Sequence, residues 1–246
     1  MSEARASAPR RRPDRGGYAR GEETRGRIIA AALRVFAEEG YARSSTRQIA
    51  EAAGVTPPAL QYYFDSKEGL HRACAQFIIG EAWETLGPAT CKAELAVESG
   101  EPRRALDALC ELLDSLAGIS LVTKTATDWG RFIGRAQADG TGPAAALVRE
   151  EVSRPLHGCV ARLVGVVLGQ PADTVATRLR ASMVLGPIAA LHSGRTNMLA
   201  ILGWPDYDGE RLTAVKAALR VHTRAALTAP MDDGFEPAGT NATIAR

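Results

Sequence analysis

Three features of the 246-residue sequence predict an all-α fold. Apolar residues recur three and four apart along most of the chain, and no segment alternates convincingly between apolar and polar. Glycine, proline and serine clusters cut the apolar runs into pieces of ordinary helix length. The expected organisation is a basic arm over 1–20, a small three-helix unit over 21–81, a larger helical bundle over 82–228 and a tail over 229–246.

Residues 1–20 carry six arginines against Glu3 and Asp14 and have little to bury, so disorder is expected there. Such an arm suits an anionic polymer, or is simply solvated. Thr24 can cap a first helix over about 24–39, with Ile28, Ile29, Ala32, Leu33, Val35 and Phe36 inward and Gly40 as a left-handed C-cap. Ser44 or Ser45 caps a second, short helix near 46–53 that Gly54 ends. Thr56 caps a third, opened by Pro57, where a missing amide hydrogen costs nothing, and reaching about Tyr63. Ser66 caps a long fourth helix that begins at Lys67. Gly/Pro separators, the first at Gly87-Pro88, then predict helices over about 102–118, 120–138, 143–169, 172–199 and 207–228, with a kink at Gly186-Pro187. The Pro/Gly-rich tail is expected to be disordered.

Several function classes are disfavoured by composition. No apolar run approaches the length of a membrane span, and the N-terminal arginines have no hydrophobic stretch behind them to make a secretory signal. A cytoplasmic protein without membrane partner is expected. Cys74, Cys91, Cys110 and Cys159 lie too far apart in sequence for metal or redox spacing, so no metal or cofactor is expected. Paired catalytic carboxylates, an activated nucleophile and a phosphate-cradling loop are not found; Val164-Gly165-Val166-Val167-Leu168-Gly169 lacks both the fingerprint and the preceding strand. The chain is not expected to be an enzyme.

Residues 45–64 read STRQIAEAAGVTPPALQYYF, two short helices about a glycine turn. Small Ala52, Ala53 and Gly54 let the helices cross closely over Ile49, Val55 and Leu60. Thr56, Pro57, Ala59 and Gln61, with Tyr62 or Tyr63, are left outward. A helix that begins with small residues can approach base edges, where Thr and Gln hydrogen-bond and Pro or Ala touches a thymine methyl.

From Thr24 to about Phe77 the sequence resembles the DNA-binding domain of the TetR family. The matching residues are Phe36, Gly40 and Tyr41; Thr46, Ile49, Ala50, Ala53, Gly54 and Val55; then Tyr63-Phe64, and Ser66, Lys67, Glu68 and Leu70. The resemblance implies a homodimeric, usually repressing regulator that binds an operator in double-stranded DNA and a small effector. It places Thr46 and Arg47 on phosphates and Thr56, Pro57, Pro58 and Ala59 in the major groove. Tyr62 and Tyr63 fall on the sugar-phosphate backbone, and Lys67 on a phosphate at a helix N-terminus. Gln61 stands where many members have tyrosine, and replaces a phosphate contact or adds one to adenine.

The expected architecture is therefore an N-terminal three-helix helix-turn-helix DNA-binding domain plus a C-terminal helical ligand-binding and dimerisation bundle. Val175, Leu179, Met183 and Ile188, with Leu212, Ala218, Leu219 and Ala225, offer apolar faces for pairing or for the protomer's own core. Cys110, Trp129, Arg131, Phe132, Met183, His192 and Arg195 are expected to line a pocket for a largely apolar or aromatic effector. Glu151 with Pro155, and Gly203-Trp204-Pro205, resemble an E-x-x-x-P and a late G-W-P of one TetR subgroup. The competing reading is a helical carrier or scaffold that never meets DNA.

Overall fold

The computed structural model describes residues 15–122, 124–139 and 143–228, and no strand occurs among them. The N-terminal unit, or head, is built from α1 (Arg15–Arg43), α2 (Thr46–Ala53), α3 (Pro57–Phe64) and the start of α4 (Lys67–Ser99). There follow α5 (Pro102–Leu121), α6 (Lys124–Asp139), α7 (Pro143–Val148), a π-turn (Arg149–Ser153), α8 (Arg154–Leu168), α9 (Val175–Ser193), α10 (Arg195–Leu202) and α11 (Gly209–Thr228). The first helix is longer than predicted: Arg15–Arg20, expected in the arm, already belong to α1, while 1–14 and the tail from 229 lie outside the described residues. At Gly40 the chain leaves helical geometry with φ 80° and ψ 170°, an extended turn in place of the expected left-handed cap.

Local caps fix the head. Ser45, not Ser44, caps α2: its Oγ accepts from Gln48 N at 3.2 Å, and Gln48 Oε1 accepts from Ser45 N at 2.9 Å. Gly54 ends α2 at φ 65° and ψ 36°, the left-handed basin that glycine enters without penalty. Thr56 Oγ1 accepts from Ala59 N, and Ser66 Oγ accepts from Gly69 N, so α3 and α4 start where the sequence placed them.

Tertiary packing overrides the predicted break at Gly87-Pro88 and reshapes two later helices. Helix α4 runs through Gly87-Pro88, because Leu86, Ala89 and Ala93 are buried on either side while Glu84 and Pro88 face solvent. The carbonyl that Pro88 leaves without a donor therefore lies on a wet face. Helix α9 runs through Pro187 as one helix, as expected, but ends at Gly194, short of the predicted 199, where a Cβ would sit 2.9 Å from Ala190 O. The run predicted as one helix over 143–169 widens into the π-turn. Pro155 has no N–H for the carbonyl of Glu151, four residues earlier; Arg154 N bonds Arg149 O instead, and Trp83 Nε1 donates to Glu151 O at 3.0 Å.

Two apolar cores result. One lies in the bundle between α4, α5, α8, α9 and α11, around Leu109, Leu113, Val160, Leu163 and Ile188. The other lies under the head, around Ile28, Phe36, Ile49, Leu60 and Leu70, and it includes Phe132 and Ala136 of α6 with Ala144 and Val148 of α7.

Candidate nucleic-acid interface and effector cleft

The helix-turn-helix presents its polar side outward. Ile49, Ala53, Leu60 and Phe64 are buried beneath it, and Val55 N closes the turn onto Ala50 O at 2.9 Å. Arg47, Thr56, Pro57, Pro58, Gln61 and Tyr62 are exposed, Tyr62 to 83%, while Thr46, Ala59 and Tyr63 are half-buried. The ten residues singled out thus fall on one short stretch, eight of them on or immediately before α3 and α4. Thr56 Oγ1 spends its acceptor on the helix cap and keeps its proton for an outside group. Tyr63 is the tyrosine that packs inward, its ring 5.5 Å from Tyr62 and 6.3 Å from Phe64.

Lys67 has more contacts than the sequence suggested. Its Nζ donates to Ser44 O at 2.6 Å and to Ala42 O at 3.4 Å, and lies 4.7 Å from the centre of the Tyr41 ring. Partial burial pulls its pKa down from the ordinary lysine value. Lys67 thereby ties the start of α4 to the α1–α2 corner, with one N–H left to offer. A further basic group escaped the sequence reading: Arg25 of α1 lies over the Phe64 ring at 5.4 Å, bringing a guanidinium to the end of α3. No sequence signal sets it apart from the other charged residues of α1, such as Arg27 and Arg34.

The predicted effector set does not assemble as one pocket. Phe132, 1% exposed, is wedged in the head core, 6.1 Å from Phe36 and 4.8 Å from His71. Cys110 is fully buried in α5, and Met183 stands 62% exposed on α9. Helix phase separates them: each apolar side chain follows its own helix's buried or open face. Arg131, His192 and Arg195 do converge, on a cleft of about 840 Å³ that also has walls from Ala37 and Glu38 of α1. Trp129 goes to a smaller cleft of about 380 Å³ on the other flank of α6, its ring 5.9 Å from that of Phe77.

In the larger cleft the α9–α10 corner closes the end of α5. His192 Nδ1 meets Ser120 O at 2.9 Å, and Arg195 Nη1 donates to Leu121 O at 2.6 Å while its guanidinium lies 5.0 Å from the Tyr207 ring centre. The Arg195 guanidinium sits at a helix C-terminus, where the macrodipole favours it. Gly130 makes this closure possible, since a Cβ there would lie 2.4 Å from His192 Cε1. No helix among the described residues is long and apolar enough to cross a membrane.

The chain is similar to known regulators over most of its length. Residues 28–74 match the family of bacterial regulatory proteins of the tetR type. Residues 102–230 match the C-terminal domain of the HTH-type transcriptional dual regulator CecR, a match that spans Glu151, Pro155 and 203–205. The CecR dual regulator of Shigella flexneri is 34% identical over 206 residues, covering 82% of this chain and 91% of its own length. The regulator AcrR of Shigella flexneri is 34% identical over 92 residues, covering 37% of this chain and 39% of its own. A TetR-like regulator from Rhodococcus sp. RHA1 shares the fold at a TM-score of 0.60 and 20% identity, over 84% of this chain and 97% of its own. The chain belongs to the TetR family of DNA-binding transcriptional regulators, with a C-terminal domain of the CecR type.

Proposed function

We propose that the protein is a ligand-responsive repressor that binds a palindromic operator as a homodimer and is released by a small effector. The observation that carries this reading is the outward polar face of α3 on a firmly packed head. Thr56, Pro57, Pro58 and Ala59 open that helix toward the groove, and Gln61 extends the base-reading face. Thr46, Arg47, Tyr62, Tyr63 and the spare N–H of Lys67 flank it for phosphates.

One such helix reads few bases. A good base contact discriminates by about 1–3 kcal/mol, whereas an operator stands about 4–10 kcal/mol above non-specific DNA. Two copies close the gap. Val175, Leu179 and Met183 form an exposed stripe four residues apart on α9, and Ala218, Val221 and Ala225 are exposed on α11. That stripe is the pairing face; Ile188 and Leu219, buried within the protomer, belong to its own core. The effector enters the cleft between α1, α6 and the α9–α10 corner. Since α6 also supplies Phe132 to the head core, a ligand that prefers one setting of α6 prefers one spacing of the two heads.

Binding to the DNA upstream of its own gene across a salt series tests the DNA half. With about 6–10 phosphates neutralised, affinity falls by about 10³–10⁵-fold between about 50 and 200 mM salt; a flat response would favour the carrier reading. The Shigella flexneri relative is called a dual regulator. A promoter reporter in a deletion strain therefore has to read both directions, and a fall in output at the bound promoter would replace repression with activation.

A further inference from the structure

We infer that the cleft beside α6 takes an organic anion, a carboxylate or its chemical equivalent on a small apolar body. The inference rests on the effector-binding reading and names the chemistry of that site. Four basic side chains line the cleft: Arg131 and Arg135 from α6, His192 from α9 and Arg195 from α10. The single carboxylate among the lining residues is Glu38 of α1.

The cations are not spoken for equally. Arg195 is held by the Leu121 carbonyl and the Tyr207 ring. Arg131 and Arg135 make no hydrogen bond or ion pair among the described residues. That contrasts with the arginines in the grooves between bundle helices, which meet carboxylates: Arg162 with Glu94, Arg220 with Asp114, Arg224 with Asp107. Arg131 and Arg135 are four residues apart and so share one face of α6. A concave wall concentrates the field of such a group, and the planar guanidinium fork matches a carboxylate in two parallel hydrogen bonds.

The floor of the cleft is built to leave room. Gly130 is occupied by the His192 ring, but a Cβ at Gly134 would meet nothing within 4 Å. Gly134 thus lies between the two arginines in sequence with open space above it. The volume, about 840 Å³, falls in the range that holds small organic ligands. Ala37 and Ile133 give the apolar body its surface. An anion bridging α6 toward Glu38 would also meet repulsion from that carboxylate, which makes the site sensitive to the distance between α1 and α6.

Calorimetry on the full-length protein with three carboxylates tests this: benzoate, 4-phenylbutyrate and decanoate. The controls are 4-phenylbutanamide and 4-phenylbutylamine. At least one carboxylate binds, and 4-phenylbutyrate binds about tenfold or more tighter than its amide or amine. Arg131→Gln and Arg135→Gln each weaken it by about tenfold. Gly134→Leu abolishes binding without lowering the melting midpoint, because leucine fills open space and favours helix. Silence from all three carboxylates, equal binding of the amide or amine, or indifference to both arginine substitutions would overturn the inference. DNA binding by the same proteins without ligand separates the two readings. Loss of wild-type DNA binding would sink the regulator reading alone. A drop in the arginine variants would reassign those groups to phosphates and end the anion site.

Discussion

The core beneath the reading helix and the core of the bundle differ in where their side chains come from. The bundle core is made from the later part of α4 and from helices of the second sequence region, with Tyr207 added from the α10–α11 connection. The head core takes Phe132 and Ala136 from α6 and Ala144 and Val148 from α7, far along the chain. Trp83 is partly buried against both. The difference teaches that α6 and α7 are packed into the head, although by sequence they lie in the second region. A molecule that grips α6 therefore acts on the DNA-reading unit through one layer of side chains.

The sharpest way to break that comparison is Phe132→Ala. Truncating a buried phenylalanine costs about 3–5 kcal/mol. We expect this loss in urea unfolding, together with loss of DNA binding, from a residue that lies outside the helix-turn-helix in sequence. A loss below about 1 kcal/mol would detach α6 from the head. Next in size is Lys67→Met, which removes the charged donor to Ser44 O and Ala42 O. Hydrogen bonds to a charged group contribute about 1.5–3 kcal/mol. The head should be destabilised by about that much, and affinity for all DNA sequences lowered alike. Weakened DNA binding with unchanged stability would instead make Lys67 a phosphate ligand and nothing more.

What the sequence could tell divides along the same line. Ser45, Thr56 and Ser66 cap their helices within three residues, and Gly54 turns the chain by its own backbone freedom, so each of these choices is local. The head, including which residues face outward on α3, was legible for that reason. The continuation of α4 past Pro88 was not, because burial of Leu86 and Ala89 by other helices decides it. Nor was the break at Gly194, which needs close approach to Ala190 O. The cleft beside α6 fared worst. Its walls come from α1, α5, α6, α9 and α10, and whether Phe132 or Arg131 points into it turns on one hundred degrees of helix phase. The pair Glu151 and Pro155 is visible in sequence only as a resemblance; its physical content, a carbonyl robbed of its helical donor, depends on Trp83, which lies 68 residues away in the chain.

That bond gives a smaller and cleaner test. Trp83→Phe keeps an aromatic ring between the cores and removes the donor to Glu151 O. Since the bond lies near solvent, the cost from the bond itself should be about 0.5–1.5 kcal/mol. Pro155→Ala restores an amide hydrogen to α8 and lets the π-turn close as ordinary helix. In the Trp83→Phe background it should recover most of the loss, a coupling measured by a double-mutant cycle. Additive effects would mean that the indole and the proline act separately, and Trp83 would join the cores by volume alone.

The gentlest measurement changes no residue. Cys74 sits in the head core and Cys159 in the bundle core, and burial pushes both thiols above the ordinary cysteine range. Neither reacts with a maleimide while its core is closed, so mass spectrometry of each site at low urea reports the opening of each core separately. Exposed Cys91 is labelled at once and serves as the internal standard. If α6 and α7 bind the two cores into one unit, the opening free energies of Cys74 and Cys159 agree within about 0.5 kcal/mol. In Trp83→Phe they should part, with Cys74 leading, because the side chain shared by the two cores loses its bond to Glu151 O and part of its volume. A head that opens far ahead of the bundle in the unaltered protein would show that the borrowed residues do not hold it, and that α6 transmits less than its packing implies.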